Sequence, residues 1–282
     1  MSAEPAPDWV DPAAGAAAGS SGGAPPFVWW RFVAAGAIGG LISGLFGVGG
    51  GIVMVPLAMW LGRLDQKRAS AVSLLAIIPT ALVGALTYGL RGHLALSAAV
   101  CVAAGAGTGA WAGARLLRLV PLKPLSWAFA GLLAATAAFM VFFVPERSAS
   151  VSLGAGVILG LLVLGLVMGV LSGLFGIGGG VVAVPALMAL FGLGDLVARG
   201  TSLAVMIPAA VTGSATNHRG GLLDFRAGLA MGCTAAAASY VGTAFAFVLN
   251  PRMGNLLFAA LLVVSAVQLG LRAARLPRST DS

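Results

Sequence analysis

The chain has 282 residues, of which 59% are hydrophobic and only 9% charged, with 42 glycines and a net charge of +8. A soluble chain carries about 25% charged residues, so a soluble globular fold is excluded. The apolar residues come in unbroken runs of about 20 or more, the length that a bilayer's hydrocarbon core requires. Backbone polar groups in lipid must be satisfied within the segment, which selects helices, and the runs are too long for barrel strands. The expected fold class is an all-α polytopic membrane protein, with the lipid bilayer as its first partner.

Residues 1–26 are rich in Ala, Gly, Pro and Ser and carry acids without Lys or Arg. They lack the basic start and apolar core of a signal peptide and read as a disordered tail. Trp29, Trp30 and Arg31 then mark an interfacial anchor. Apolar runs follow at 32–62, 69–90, 94–120, 124–144, 151–192, 198–217, 227–250 and 253–271, and a short basic tail closes the chain at 273–282. The basic residues lie singly or in threes between the runs, as membrane-protein loop charges do, so a nucleic-acid partner is not expected. Cys101 and Cys233 lie in different apolar runs, which gives no disulfide framework and no metal-ligand spacing. No cofactor or metal is expected.

An internal repeat organises the chain. Ser43-Gly-Leu-Phe-Gly-Val-Gly-Gly-Gly-Ile-Val-Met-Val-Pro56 recurs as Ser172-Gly-Leu-Phe-Gly-Ile-Gly-Gly-Gly-Val-Val-Ala-Val-Pro185, 129 positions later. The same gapless offset superposes Ser73 on Ser202, Pro79 on Pro208, Gly113 on Gly242 and Phe129 on Phe258. A duplication results, with one repeat at 27–146 and a second at 147–272.

The charges favour inverted repeats. If the two long Gly-rich runs, 32–62 and 151–192, each cross once, Lys and Arg divide evenly between the two sides. If each breaks at its glycines and returns, one side collects Arg31, Arg63, Lys67, Arg68, Arg115, Arg118, Lys123, Arg219, Arg226, Arg272, Arg275 and Arg278, and the other only Arg91, Arg147, Arg199 and Arg252. The positive-inside rule selects the returning hairpins. Each repeat is then a Gly-broken helical hairpin plus three transmembrane helices, so the halves are inverted and both termini are expected in the cytoplasm.

Gly-interrupted apolar segments at matching places in inverted repeats point to a transporter's substrate site. Gly49 to Gly51 and Gly178 to Gly180 each weaken a helix by about 1 kcal/mol per residue relative to Ala. Past each break the chain can restart as a short helix, with Pro56 or Pro185 near its first turn. The N-termini of two such helices would offer bare N–H groups to one small anion. The candidate substrate-binding residues are Gly47, Gly49, Gly50, Gly51, Gly176, Gly178, Gly179 and Gly180, joined by the hydroxyls of Ser43, Ser172, Ser73, Ser202 and Thr201. The spaced glycines Gly36, Gly40 and Gly44, with Gly165, Gly169 and Gly173, read as helix-packing faces. Tyr88 and Asn217 occupy equivalent places and break the symmetry. His93 and His218 sit at run ends and read as interfacial. All eight acids fall in tails or expected loops, leaving no membrane-buried carboxylate for ion coupling. No catalytic residues are assigned, and no enzymatic motif is present.

With its twin motifs in place, the chain resembles the sulfite exporter TauE/SafE family of membrane transporters over about residues 32–271. Gly200-Thr201-Ser202-Leu203 and Gly221-Leu222-Leu223-Asp224-Phe225 add to the likeness. In the first half Ala71-Val72-Ser73 stands where the second has Gly-Thr-Ser. The resemblance implies a permease of the cell membrane for sulfite, sulfonates or other small organic or sulfur oxyanions. Alternating access is the expected mechanism; a passive anion channel or a non-transporting membrane scaffold are the alternatives.

Overall fold

A computed structural model describes residues 28–142 and 154–275. The tail expected at 1–26 lies outside the described residues, as do residues 276–282; residues 273–275 belong to the last helix. Among the described residues the regular structure is all helical: α1 (Trp29–Phe46), α2 (Gly51–Trp60), α3 (Gln66–Leu90), α4 (Leu96–Leu119), α5 (Leu122–Phe142), α6 (Ala155–Phe175), α7 (Gly180–Phe191), α8 (Asp195–Arg219), α9 (Phe225–Val248) and α10 (Pro251–Arg275). Seven of them, α1, α3, α4, α6, α8, α9 and α10, are long and apolar enough to cross a membrane. At 10 and 12 residues, α2 and α7 reach only about half-way, at 1.5 Å per residue. In the first half α5 takes the place that α10 takes in the second. Large apolar side chains face outward, among them Leu90, Leu119, Trp60 and Val248, as contact with lipid requires.

Each Gly-rich run turns back on itself. A Cβ built on Gly50, which caps α2, would stand 2.3 Å from the carbonyl oxygen of Gly39, midway along α1. The short helix therefore starts level with the middle of the long one. It ends beside the long helix's beginning, where Arg31 Nη1 donates to Leu61 O at 3.1 Å. In the second half Gly179 lies against Met168 O, the equivalent of Gly39, and Gly160, the equivalent of Arg31, lies against the Phe191 ring at the end of α7.

The halves interlock. A Cβ on Gly36, Gly40 or Gly44 of α1 would fall 2.1–2.2 Å from the carbonyls of Met231, Ala235 and Ser239 in α9. On Gly165, Gly169 and Gly173 of α6 it would fall 2.1–2.3 Å from those of Val102, Ala106 and Ala110 in α4. Every partner in one set is the repeat equivalent of a partner in the other. Lipid supplies no hydrophobic drive between helices, so backbone approach of this kind is what holds them together. Ring pairs follow the same exchange: Phe46 stacks on Phe258 at 5.2 Å and Phe175 on Phe129 at 4.9 Å.

Candidate functional site

The glycine breaks are built alike. After Phe46 the chain turns left-handed at Gly47, whose N–H donates to Ser43 O at 2.8 Å; after Phe175, Gly176 does the same with Ser172. Gly49 and Gly50 (φ 75° and 69°) and Gly178 and Gly179 (φ 74° and 80°) continue in the region where a side chain is strained. The third glycine of each cluster, Gly51 or Gly180, is already the first residue of the short helix. Pro56 and Pro185 are the sixth residues of their helices. They sit in the second turn, just past the first turn near which the sequence placed them.

The two breaks meet. A Cβ on Gly51 would stand 2.5 Å from Ile177 Cα, and one on Gly180 would stand 2.6 Å from Val48 Cα. Met206 Sδ and the Ile77 side chain, repeat equivalents of one another, pack on both Gly49 and Gly178. Val48, Ile177, Ile77 and Met206 are fully buried. The N-termini of α2 and α7 thus converge with no side-chain cap on either. Among the hydrogen bonds of the described residues, none comes from the N–H of Gly51, Ile52, Gly180 or Val181. Val48, Ile77, Ile177 and Met206 form an apolar cluster packed on the glycines of the two breaks.

The candidate hydroxyls divide. Ser73 Oγ donates to Gly176 O, so it ties α3 to the second break. Its neighbour Ser70 Oγ donates to Phe175 O at 2.9 Å. Ser43, Ser172 and Ser202 are buried with no hydrogen bond from their Oγ atoms. Thr201 faces elsewhere: its Oγ1 accepts from the N–H of Ala95, ahead of α4.

One expectation is overturned. Asp195 does not lie in a loop: it opens α8 and is buried, paired with Arg199 one turn on, Oδ1 to Nε 2.9 Å. The Oδ1 lies off the N–H direction, so the contact is an ion pair without hydrogen-bond geometry. Arg199 Nη1 also donates to Leu45 O at 2.6 Å, in the last turn of α1, and the backbone of Arg199 sits directly against Gly47. Beside it, Tyr88 OH donates to Gly44 O at 2.9 Å. Each charge is placed where a helix end favours it, the acid at the start of α8 and the cation at the end of α1. The sequence signal was the i,i+4 spacing of Asp195 and Arg199 just ahead of Gly200. Asp195 also lines a cavity of about 270 Å³ with His93, Leu196, Val197 and Phe247. Among the described residues no group of His, Cys, Asp and Glu is placed to hold a metal.

The sequence matches the family described as Sulfite exporter TauE/SafE over residues 10–140 and 161–281. The chain belongs to that family. Each matched stretch contains one glycine break, and the gap between them falls between the two repeats. The probable membrane transporter protein YdhB of Bacillus subtilis is 28% identical over 209 residues, covering 73% of this chain and 85% of that protein. The probable membrane transporter protein YunE of the same organism is 28% identical over 229 residues, covering 71% and 81%. The probable membrane transporter protein MamO of Paramagnetospirillum magneticum shares 31% identity over 110 residues, 36% of this chain and 17% of that protein. No solved structure matches. The TauE/SafE protein described here is thus a multi-pass membrane protein of a transporter family.

Proposed function

We propose that this protein carries a small oxyanion, with sulfite or a sulfonate as the leading class, across the cell membrane by alternating access around the two glycine breaks. It has no enzymatic step in this reading. The observation that carries it is the meeting of the breaks: two uncapped helix N-termini converge at a buried plug between interlocked halves. Converging N–H groups and dipole ends suit an anion, and a plug of Val48, Ile77, Ile177 and Met206 suits a barrier that opens to one side at a time. Gly47, Gly49, Gly50 and Gly51, with Gly176, Gly178, Gly179 and Gly180, would line the opened site. Ser43, Ser172, Ser73 and Ser202 would stand close enough to turn a hydroxyl toward it. Thr201, tied to Ala95, would steady the scaffold. A continuous packed plug favours a carrier over a channel.

The returning hairpins support inverted topology: a hairpin that ends where it began, followed by three crossings, reverses the second half. With twelve basic residues on one side against four on the other, both termini would face the cytoplasm.

Uptake of labelled sulfite, sulfate and small sulfonates into proteoliposomes tests the reading. Saturable flux with counter-flow exchange is expected. Steady single-channel currents without exchange would replace the carrier by a channel, and no flux of any anion would remove the transport reading.

A further inference from the structure

The buried ion pair has no part in the function proposed above. We propose that Arg199 is an anion-binding residue on the way to the first break, and that Asp195 is its exchangeable counter-ion, which takes up one proton when an anion replaces it. This rests on the transporter reading and adds to it a coupling ion and an entry site.

The geometry orders the groups. Asp195 lines the 270 Å³ cavity and Arg199 stands behind it, so the carboxylate separates cavity from guanidinium. Of Arg199's donors, Nη1 is used on Leu45 O and Nε faces Asp195 off hydrogen-bond geometry, while Nη2 lies against Gly254. A guanidinium has five N–H donors in a planar fork suited to two oxygens of one oxyanion. The cavity is smaller than a drug-sized pocket and suits an ion of a few heavy atoms. Its floor is the first turn of α8, Asp195 to Val197, which has no side-chain cap.

The surrounding charge favours an anion. His93 lines the cavity together with Asp195, and Arg91 lies 4.2 Å over the Phe247 ring that also lines it. From α3 comes Tyr88, which packs against Phe247 and lies within electrostatic reach of both Arg199 and Asp195, and from α1 the Leu45 carbonyl accepts from Arg199. The lining residues of α9, Ala246 and Phe247, and Leu249 just beyond it bring no titratable group; α10 brings Gly254 beside Arg199 and the exposed Arg252. The other acids among the described residues, Asp65 and Asp224, are exposed caps of other helices.

The exchange balances. An anion oxygen takes Asp195's place on Arg199, which keeps its charge. A carboxylate stripped of its partner inside the protein is costly to leave ionised, so Asp195 takes a proton from the cavity, with His93 as the titratable side chain beside the route. On anion release the proton leaves and the pair re-forms. Anion and proton binding are then linked one to one, and each tightens the other. Because Arg199 holds the last turn of α1 and abuts Gly47, the exchange acts directly on the first break. The equivalents in the first half, Gln66 and Ser70, are neutral, so the device exists once.

Purified full-length protein, with methanesulfonate and sulfate as probes that stay ionised at working pH, tests this. Wild type should take up one proton per anion bound in unbuffered solution and gain a protonated-carboxyl infrared band. Asp195→Asn should bind the anion with neither signal, and Arg199→Gln should lose binding. The double variant Asp195→Gln/Arg199→Ser, which copies the first half, is the folded reference if the single variants misfold; it should bind neither anion nor proton. Binding of neither probe to wild type, anion binding without proton uptake, a band that survives in Asp195→Asn, or anion binding by the double variant would overturn the proposal. Coupled binding without flux in proteoliposomes would remove the transport reading and leave this site standing. Flux without proton uptake would remove this site alone.

Discussion

The end of α1 and the end of α6 have the same backbone and different side chains. At α1 the last-turn carbonyls of Gly44 and Leu45 are held by Tyr88 and by Arg199 of a buried ion pair. At α6 the equivalents of those side chains are Asn217 and Ser70. Ser70 bonds Phe175 O, while the Asn217 amide is fully buried with neither its oxygen nor its nitrogen partnered. Duplication preserved what the glycines fix, the turns and the backbone contacts, and left the polar groups free to diverge. The end of α1 became charged and hydrogen-bonded, and the end of α6 stayed neutral and incompletely paired. A carrier that opens alternately to two unlike sides gains from such inequality.

Four experiments press on this contrast. The largest effects should be equal in the two halves: Gly40→Leu and Gly169→Leu each drive a side chain into a facing backbone carbonyl, and both should abolish recovery of monodisperse protein. Tolerance of one but not the other would break the equivalence of the scaffolds. Next, Arg199→Met leaves Asp195 buried and unpaired, at a cost of about 3–5 kcal/mol, whereas Ser70→Ala should cost about 1–3 kcal/mol for the carbonyl it deserts. Denaturant or thermal unfolding in detergent reads the difference, and Asp195→Gln/Arg199→Ser should recover most of the single-variant loss. Smaller again, Tyr88→Phe should destabilise by about 1 kcal/mol, while Asn217→Leu should be neutral or stabilising because it removes an unpartnered amide. A large loss at Asn217→Leu would mean that the amide holds a group essential to the fold. Smallest of all, Gly131→Ala meets no atom within 4 Å and should stabilise α5 by no more than about 1 kcal/mol.

Much of this was legible in the residues. The helical class followed from long uncharged runs, the return of the second Gly-rich run from where the basic residues fell, and that of the first from the repeat; Arg31 against Leu61 is the first run's return seen directly. The glycine clusters marked the breaks because three adjacent glycines have no other use in hydrocarbon. Asp195 was misplaced for a physical reason: a charge ends an apolar run on any hydropathy reading, yet Arg199 one turn later neutralises it and lets both enter the helix. Ile77 and Met206 could not be picked out, since apolar residues in apolar helices look alike until tertiary packing brings two of them onto the same glycines. The third glycine of each cluster joined the helix, which set Pro56 and Pro185 one residue deeper in it.

The central claim is that the two breaks must part for an anion to pass. Ile77→Cys/Met206→Cys, made in a background where Cys101 and Cys233 are replaced by Ala, places a reactive pair on both sides of Gly49 and Gly178. Flux of labelled sulfite through proteoliposomes should stop when a short reversible cross-linker joins the pair and return on reduction. Undiminished flux with the cross-link in place would contradict the account.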